Sequence, residues 1–555
     1  MEDSVSDASS QREREEEPQA AGQEEHGPTS KKTSLKRKSK VKTKKQKKAR
    51  LSRPDYTVHQ GEDMLLVISN ASSQYVGSVW TPKKKGSKKK KTLKGKVKRD
   101  PVKKIKSVRG KPKVGIKPAE EEDEDRTFSD AGDRWGQDLP EEVLVNIFQM
   151  VVVQDGAVPF LCRMGRVCRL WNAAASSPVL WRRVTVGHCW IGSGKSQLPK
   201  TEMTIQNTVY WLAQNRFSQL TDFSLCHWTK NIDFTLEVVS RLCPRLRSIR
   251  LSYCKGVTLK AFHSLGLHSR RLQSLNLQQS EFQVEGLQEY LEHHGNQMRE
   301  LLFTHGLKTD RLLAVITRGC CPGLELLEVN KKLDSKDGEL PVCVQQLQMA
   351  CPKLKTFRML NVRLLNKASR NGVVSAAGFP LLEELCIATA SHSYLTDKDL
   401  RDVLFGSTML RVLDLRGCSR ISTSALAALP CPELECLFWG QYCSQFGSSS
   451  TKRGLHLLTQ RWGRTLQQLD VTNQPFTEED LELATTYLTQ EAEPERLRSL
   501  NLSGTRITPQ ALRAVVGHST ALDYLNLSSC RYLPRGVKKI YRGREEIHQL
   551  LDKLE

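Results

Sequence analysis

Residues Leu497–Thr505 read L-R-S-L-N-L-S-G-T, and Leu522–Cys530 read L-D-Y-L-N-L-S-S-C. Both carry an L-x-x-L-x-L frame, which recurs in L-R-S-I-R-L-S-Y-C from Leu246, L-Q-S-L-N-L from Leu272 and L-R-V-L-D-L-R-G-C from Leu410. Aligned on that frame, first positions fall at Leu220, Leu246, Leu272, Met298, Leu324, Leu354, Leu382, Leu410, Leu434, Leu466, Leu497 and Leu522. The successive gaps are 26, 26, 26, 26, 30, 28, 28, 24, 32, 31 and 25 residues, a period that marks stacked structural repeats. Alternation in the closing x-L-x-L-x predicts a short strand with one buried face. Helices are expected to follow. In T-P-Q-A-L-R-A-V-V, Thr508 is placed to cap a helix with Pro509 at its first position, and Thr396 and Thr477 begin capping boxes. One strand and one helix per unit predict an α/β solenoid, a curved parallel sheet with outer helices, over residues 220–530.

The cysteines follow the same register. Cys254, Cys418 and Cys530 stand three positions after the last strand leucine, while Cys243, Cys321, Cys351 and Cys431 each precede a proline. Repetition at structural positions predicts buried thiols and argues against a nucleophile. The pattern resembles the cysteine-containing subclass of leucine-rich repeats typical of F-box proteins. No C-x-x-C pair occurs among the 16 cysteines, so no structural metal is expected. His293 and His294 are adjacent on a helix, where neighbouring side chains diverge, and they read as an exposed polar face. No catalytic constellation and no cofactor motif stand out from the repeat pattern.

Charge is unevenly distributed. Residues 31–118 hold 31 Lys and Arg against 4 Asp and Glu, residues 1–30 carry a net −7, and Glu120–Asp125 add −6, within a chain of net +24. So basic and aperiodic a stretch cannot bury enough surface to offset its ordering entropy, and residues 1–133 are expected to form a disordered tail. Such a tail suits an import receptor, with nonspecific nucleic-acid contact as a secondary effect. A nuclear location follows, with the cytoplasm as a second, and a neutral reporter fused to residues 31–118 would show it. Neither a secretory leader nor a membrane-spanning run is apparent, so an intracellular protein is expected.

Between the tail and the repeats lies a small helical module, residues 134–186. Asp138 is placed to cap a helix with Pro140 in its first turn and Glu141 closing a capping box, and Leu144, Ile147, Phe148 and Val151 form an apolar stripe. A second helical stretch is expected through P-F-L-C-R-M-G-R-V-C-R-L-W. The blocks L-P-E-E-V-L-V-N-I-F, V-C-R-L-W and S-P-V-L-W-R-R-V, in that order, closely resemble the F-box, the motif that docks a Skp-type adaptor of a cullin ubiquitin ligase. The resemblance implies adaptor contact through Leu139, Pro140, Ile147 and Phe148, with Val167, Cys168, Trp171, Leu180 and Trp181 shared between that contact and internal packing. The connection V-V-V-Q-D-G-A before Pro159 is longer than usual for the motif.

Just beyond it, G-S-G-K-S (Gly192–Ser196) has the closing half of a phosphate-binding loop, but its first glycine is missing because Cys189 occupies that place. It reads as linker, within a linker and repeat cap at residues 187–219. Residues 531–555 read as a C-terminal cap or tail.

The resemblance thus implies a non-catalytic substrate receptor of an SCF-type ligase, joining adaptor and cullin to a protein substrate. A basic nuclear scaffold associated with nucleic acid is the alternative. Substrate contact is expected where the x positions of the strands line the inside of the arc: Arg358, Leu360, Asp414, Arg416, Phe438, Asp470 and Thr472. Tyr442 joins them, in the aromatic run F-W-G-Q-Y-C-S-Q-F within the 32-residue gap. Trp439 is expected in the core. Replacing Phe438 and Tyr442 with Ala is expected to leave stability nearly unchanged.

Overall fold

The computed structural model describes residues 57–60, 66–69, 139–187, 199–331, 338–367, 378–389, 393–441, 451–490 and 495–554. Of the N-terminal 138 residues, those described pair as two antiparallel strands, Thr57–Gln60 and Leu66–Ser69, where the sequence reading expects no order. The remainder of the tail, Asp138 and Gly192–Ser196 lie outside the described residues.

The helical module consists of α1 (Glu141–Asp155), α2 (Phe160–Met164) and α3 (Arg169–Ser176), followed by a 3-10 turn, Pro178–Trp181. The second helical stretch is therefore two helices. They separate because Cys168 is extended and caps α3, its Sγ accepting from the Trp171 backbone N–H at 3.5 Å. Pro140 occupies the N-cap position of α1 and makes no side-chain cap.

The module runs without interruption into the sheet. Arg183–Val186, separated from Trp181 by one residue, pairs in parallel with Asp222–Cys226 and supplies the first strand of a 14-stranded sheet. Trp181 joins the two parts of the core: its indole donates to the Ala175 carbonyl at 2.8 Å and its ring lies 5.9 Å from that of Phe217. The helix α4 (Pro199–Asn215) then begins the outer layer, followed by α5 (Ile232–Leu242) and α6 (Leu259–His268).

Twelve strands follow, from Asp222–Cys226 to Tyr524–Asn526, each starting two residues after its predicted first position. All twelve first-position side chains are buried. The strands pair in parallel and in register, so that Ser224, Arg250, Asn276, Leu302, Glu328, Arg358, Cys386, Asp414, Phe438, Asp470, Asn501 and Asn526 form one continuous row. An antiparallel strand, Ile540–Arg542, closes the far edge, giving residues 531–554 a capping role. An edge strand of only three residues offers a short template for further pairing.

Two ladders fix the turns between strand and helix. The backbone enters the left-handed region five residues after the strand start at His227, Tyr253, Gln279, Asn361, Gly417, Asn473, Gly504 and Ser529. Glycine is required at Gly417 for a second reason: a Cβ there would sit 2.1 Å from the Thr389 carbonyl oxygen. The next residue donates its side chain to the carbonyl of the preceding repeat. Cys254 bonds Leu225 at 3.5 Å, Ser280 bonds Leu251 at 2.9 Å, Cys418 bonds Ile387 at 3.4 Å, Gln474 bonds Trp439 at 2.5 Å, and Cys530 bonds Leu502 at 3.1 Å. Cysteine suits this place as a small apolar side chain with one weak donor.

Capping follows the sequence at Thr508 and Thr396, the latter with a reciprocal Asp399 box. Thr477 differs. Its hydroxyl accepts from the Asp480 N–H at 3.3 Å, but the Asp480 carboxylate turns to the backbone N–H groups of Gly454 and Leu455, each at 3.0 Å. The exposed N–H groups of the neighbouring helix end outcompete a local box. Asp233 and Asp397 likewise cap the next helix through Thr258 and Ser422.

Burial pushes the thiols of Cys243, Cys321, Cys351 and Cys418 up to about 12, which keeps them protonated and unreactive at neutral pH. Cys418→Ala strands the Ile387 carbonyl and is expected to cost about 1–3 kcal/mol. Cys418→Ser, which keeps a donor, should cost less in urea unfolding; equal losses would show that packing alone matters there.

Candidate functional site

Two faces carry the residues singled out by sequence. The first is α1. Its 15 residues bury Leu144 and Phe148 on one side, Phe148 meeting Phe160 and Trp171 edge-on with ring centres 5.5 and 5.4 Å apart. On another side Val143 (40% exposed), Ile147 (37%) and Met150 (70%) repeat at helical spacing, with Val153 (74%) beside them. Val167 and Val179, in the turns flanking α3, are also exposed. A module of three short helices has too little interior to cover all of these side chains.

The nine predicted residues divide accordingly. Pro140, Ile147 and Val167 are exposed; Leu139, Cys168 and Trp171 are half-buried; Phe148, Leu180 and Trp181 belong to the core. Val143, Met150 and Val153 were not singled out. The spacing of Val143, Ile147 and Met150 is visible in the sequence, but the single apolar stripe Leu144, Ile147, Phe148 and Val151 does not separate the buried side chains from the exposed ones.

The second face is the strand row from Glu328 to Asp470. Arg358 donates from Nε and Nη2 to both Glu384 oxygens, at 2.5 and 2.7 Å, and from Nη1 to Glu328 at 3.1 Å. Burial works against the Arg358 charge, and the carboxylates of Glu384 and Glu328 more than restore it. Burial pushes the Glu384 carboxyl up, while Arg358 pulls it back. In the next repeats Arg416 forks onto Asp414, with Nε to Oδ1 at 2.8 Å, and lies over the Phe438 ring, 4.9 Å from its centre. The Cys386 thiol donates to Asp414 at 3.3 Å. Asp470 accepts from the Thr472 N–H and hydroxyl, and burial pushes its carboxyl up.

Arg358, Leu360, Asp414, Arg416, Phe438 and Asp470 thus share one surface of the sheet, as expected, yet all six are buried, with Arg358 held by Glu384 and Glu328, Arg416 by Asp414, and Asp470 bonded to Thr472. Leu360 packs with Cys386 and Ala388, and Phe438 with Val412 and Cys436. Thr472 is half-buried, and Tyr442 lies outside the described residues. Trp439 points into the core as expected, 5.8 Å from Phe476. The burial of Phe438 argues against the expectation of unchanged stability, since losing a buried ring is expected to cost about 3 kcal/mol or more.

Among the described residues there is no group of three or more side chains able to hold a metal ion, and no helix is long and apolar enough to cross a membrane. His293 is exposed, with Nδ1 2.9 Å from the Glu289 carbonyl oxygen, and the His293 and His294 rings lie 6.4 Å apart.

An F-box-like family model matches residues 137–186, the span of α1 to α3 and the first sheet strand. Among solved structures, the chain is similar to one in the Rad7 and Elc1 complex of yeast, at 15% identity and a TM-score of 0.40, covering 72% of this chain and 90% of that one. It is also similar to an internalin from Listeria monocytogenes, at 14% identity and a TM-score of 0.37, covering 70% and 88%.

Glu384→Ala would leave the buried Arg358 guanidinium short of its bidentate partner. A loss of about 3–5 kcal/mol in urea unfolding is expected; a loss below about 1 kcal/mol would mean that the pair is solvated in solution.

Proposed function

We propose that the chain is the substrate-recognition subunit of an SCF-type ubiquitin ligase, holding a Skp-type adaptor on the outer face of α1 and, through it, a cullin. The F-box-like match over 137–186 carries this reading. The exposed row Val143, Ile147 and Met150 supports it, because an apolar row on a short helix needs a partner to leave water. In this reading the protein contributes no bond-making group. It raises the effective concentration of a target lysine near the ubiquitin-carrying enzyme, so geometry sets the rate.

The join at Trp181 supports such a role mechanically. Because Arg183–Val186 is a strand of the solenoid sheet, an adaptor on α1 would be held in fixed relation to whatever the repeats bind. Substrate recognition by the strand face would draw on shape rather than charge, since Arg358, Asp414 and Arg416 are already paired and Leu360 and Phe438 are buried.

Ile147→Glu with Met150→Glu places two charges on the outer face of α1 without disturbing Leu144 or Phe148. Adaptor co-purification should fall at least tenfold, the equivalent of about 1.4 kcal/mol, with the melting temperature retained. Undiminished adaptor capture would overturn the proposal.

A further inference from the structure

Residues 238–280 contain eight Lys and Arg and no Asp or Glu. The structure gathers four of these arginines on one edge of the solenoid. Arg245 and Arg271 are equivalent positions, each directly preceding the first leucine of its repeat, and Arg270 adjoins Arg271. The Arg247 backbone bridges neighbouring repeats, its N–H donating to Thr221 and its carbonyl accepting from Gln273 and Ser274. All four side chains are exposed, and none makes an ion pair or a side-chain hydrogen bond. Arg250, also exposed and without an ion pair, continues the charge onto the strand row.

A basic residue beside a helix C-terminus complements the helix dipole, which accounts for Arg245, Arg270 and Arg271. It does not account for Arg247, which precedes the strand Ser248–Ser252, or for Arg250 within it. At three equivalent places further along this edge the cations are paired: Arg299 and Lys355 hold Glu325, and Arg411 holds Glu435. The acids flanking the set in sequence are already engaged, Glu237 with Arg241 and Glu281 with Lys255, and Asp222, on the neighbouring strand, is engaged with Arg183 and the Thr221 hydroxyl. Adjacent strands lie about 4.8 Å apart, so guanidinium groups on neighbouring repeats are crowded against their own repulsion. In the preceding repeat α4 exposes Trp211 (50%), with the Arg216 guanidinium 5.1 Å from its ring centre, and Tyr210 (40%) beside it.

We propose that this edge of the first three repeats binds single-stranded nucleic acid, the guanidinium row of Arg245, Arg247, Arg270 and Arg271 taking the phosphates and Trp211 stacking on a base. Cations without a protein partner, together with an exposed aromatic on α4, the helix packed against α5 whose end at Leu242 precedes Arg245, are the elements of such a surface. An acidic polypeptide would use the cations and leave Trp211 idle. The surface is separate from the outer face of α1, and it stands whether or not an adaptor binds there.

The test uses the full chain, and crosslink mapping separates the repeat edge from the basic run 31–118, where attraction of nucleic acid by charge alone is also expected. Fluorescein-labelled oligo-U and oligo-dT of 15 nucleotides would be titrated against the wild type and against R245A/R247A/R270A/R271A, from 50 to 300 mM salt. All four side chains are exposed, and an unchanged melting temperature would confirm intact folding. The quadruple variant should lose at least tenfold in affinity at 150 mM salt. Its log–log salt slope should be shallower by about 3, given about 0.7 per phosphate contact on a single strand. Ultraviolet crosslinking should map to the peptide containing Trp211 in the wild type and vanish in Trp211→Ala. Preference between the two oligonucleotides tells RNA from DNA. Equal affinity and slope in wild type and variant, crosslinks confined to residues 31–118, or protection of the arginine edge by polyglutamate but not by either oligonucleotide would each overturn the proposal.

Discussion

In-register parallel pairing is the constraint on which the rest of this molecule depends. Each strand passes its backbone hydrogen bonds to the next repeat, so the two inward side chains of every L-x-L fall into continuous rows beneath the helices. A single repeat cannot bury its leucines alone, and stability in such an array is a sum of neighbour interfaces. The side-chain ladder through Cys254, Ser280, Cys418, Gln474 and Cys530 acts on the same interfaces, tying each turn to the carbonyl of the repeat before it. Strand, turn and helix cap are therefore all set by the neighbouring repeat.

That dependence explains what could be read from the sequence. Periodicity reports on inward positions, and all twelve first positions, Met298 included, are buried. It also places Thr508 and Thr396 at helix starts, because those caps are local. Where a side chain bonds to a different repeat, local patterns fail. The Asp480 carboxylate leaves its own helix to cap Leu455, 25 residues away, and Arg358 finds Glu384 and Glu328 at separations of 26 and 30. Alternation assigned Arg358 and Asp414 to the correct face, but it carries no information about partners across strands. The left-handed turns at His227, Tyr253 and Gln279 were hidden for a related reason: glycine announces such turns only at Gly417 and Gly504.

In the helical module the difficulty is of another kind. α1 is apolar on more than one side, so a single stripe through Leu144, Ile147, Phe148 and Val151 merges residues that face different surroundings. Phe148 is held between Phe160 and Trp171, while Ile147, one residue earlier, looks outward with Val143 and Met150. The core of the module does not close on itself. It continues through Trp181 and Phe217 into the first repeats, and the module and the solenoid meet as one packed body. A receptor that acts by holding two partners at a fixed separation needs such a join, since slack there would dilute effective concentration.

Hydrogen–deuterium exchange of the intact chain, with and without a Skp-type adaptor, tests the central claim most directly. Adaptor addition should slow exchange in α1 from Val143 to Asp155 and around Val167 and Val179, while the strand amides of Ser248–Ser252 and later repeats remain as they were. Protection confined to the repeats, or no change in α1 at saturating adaptor, would contradict the account.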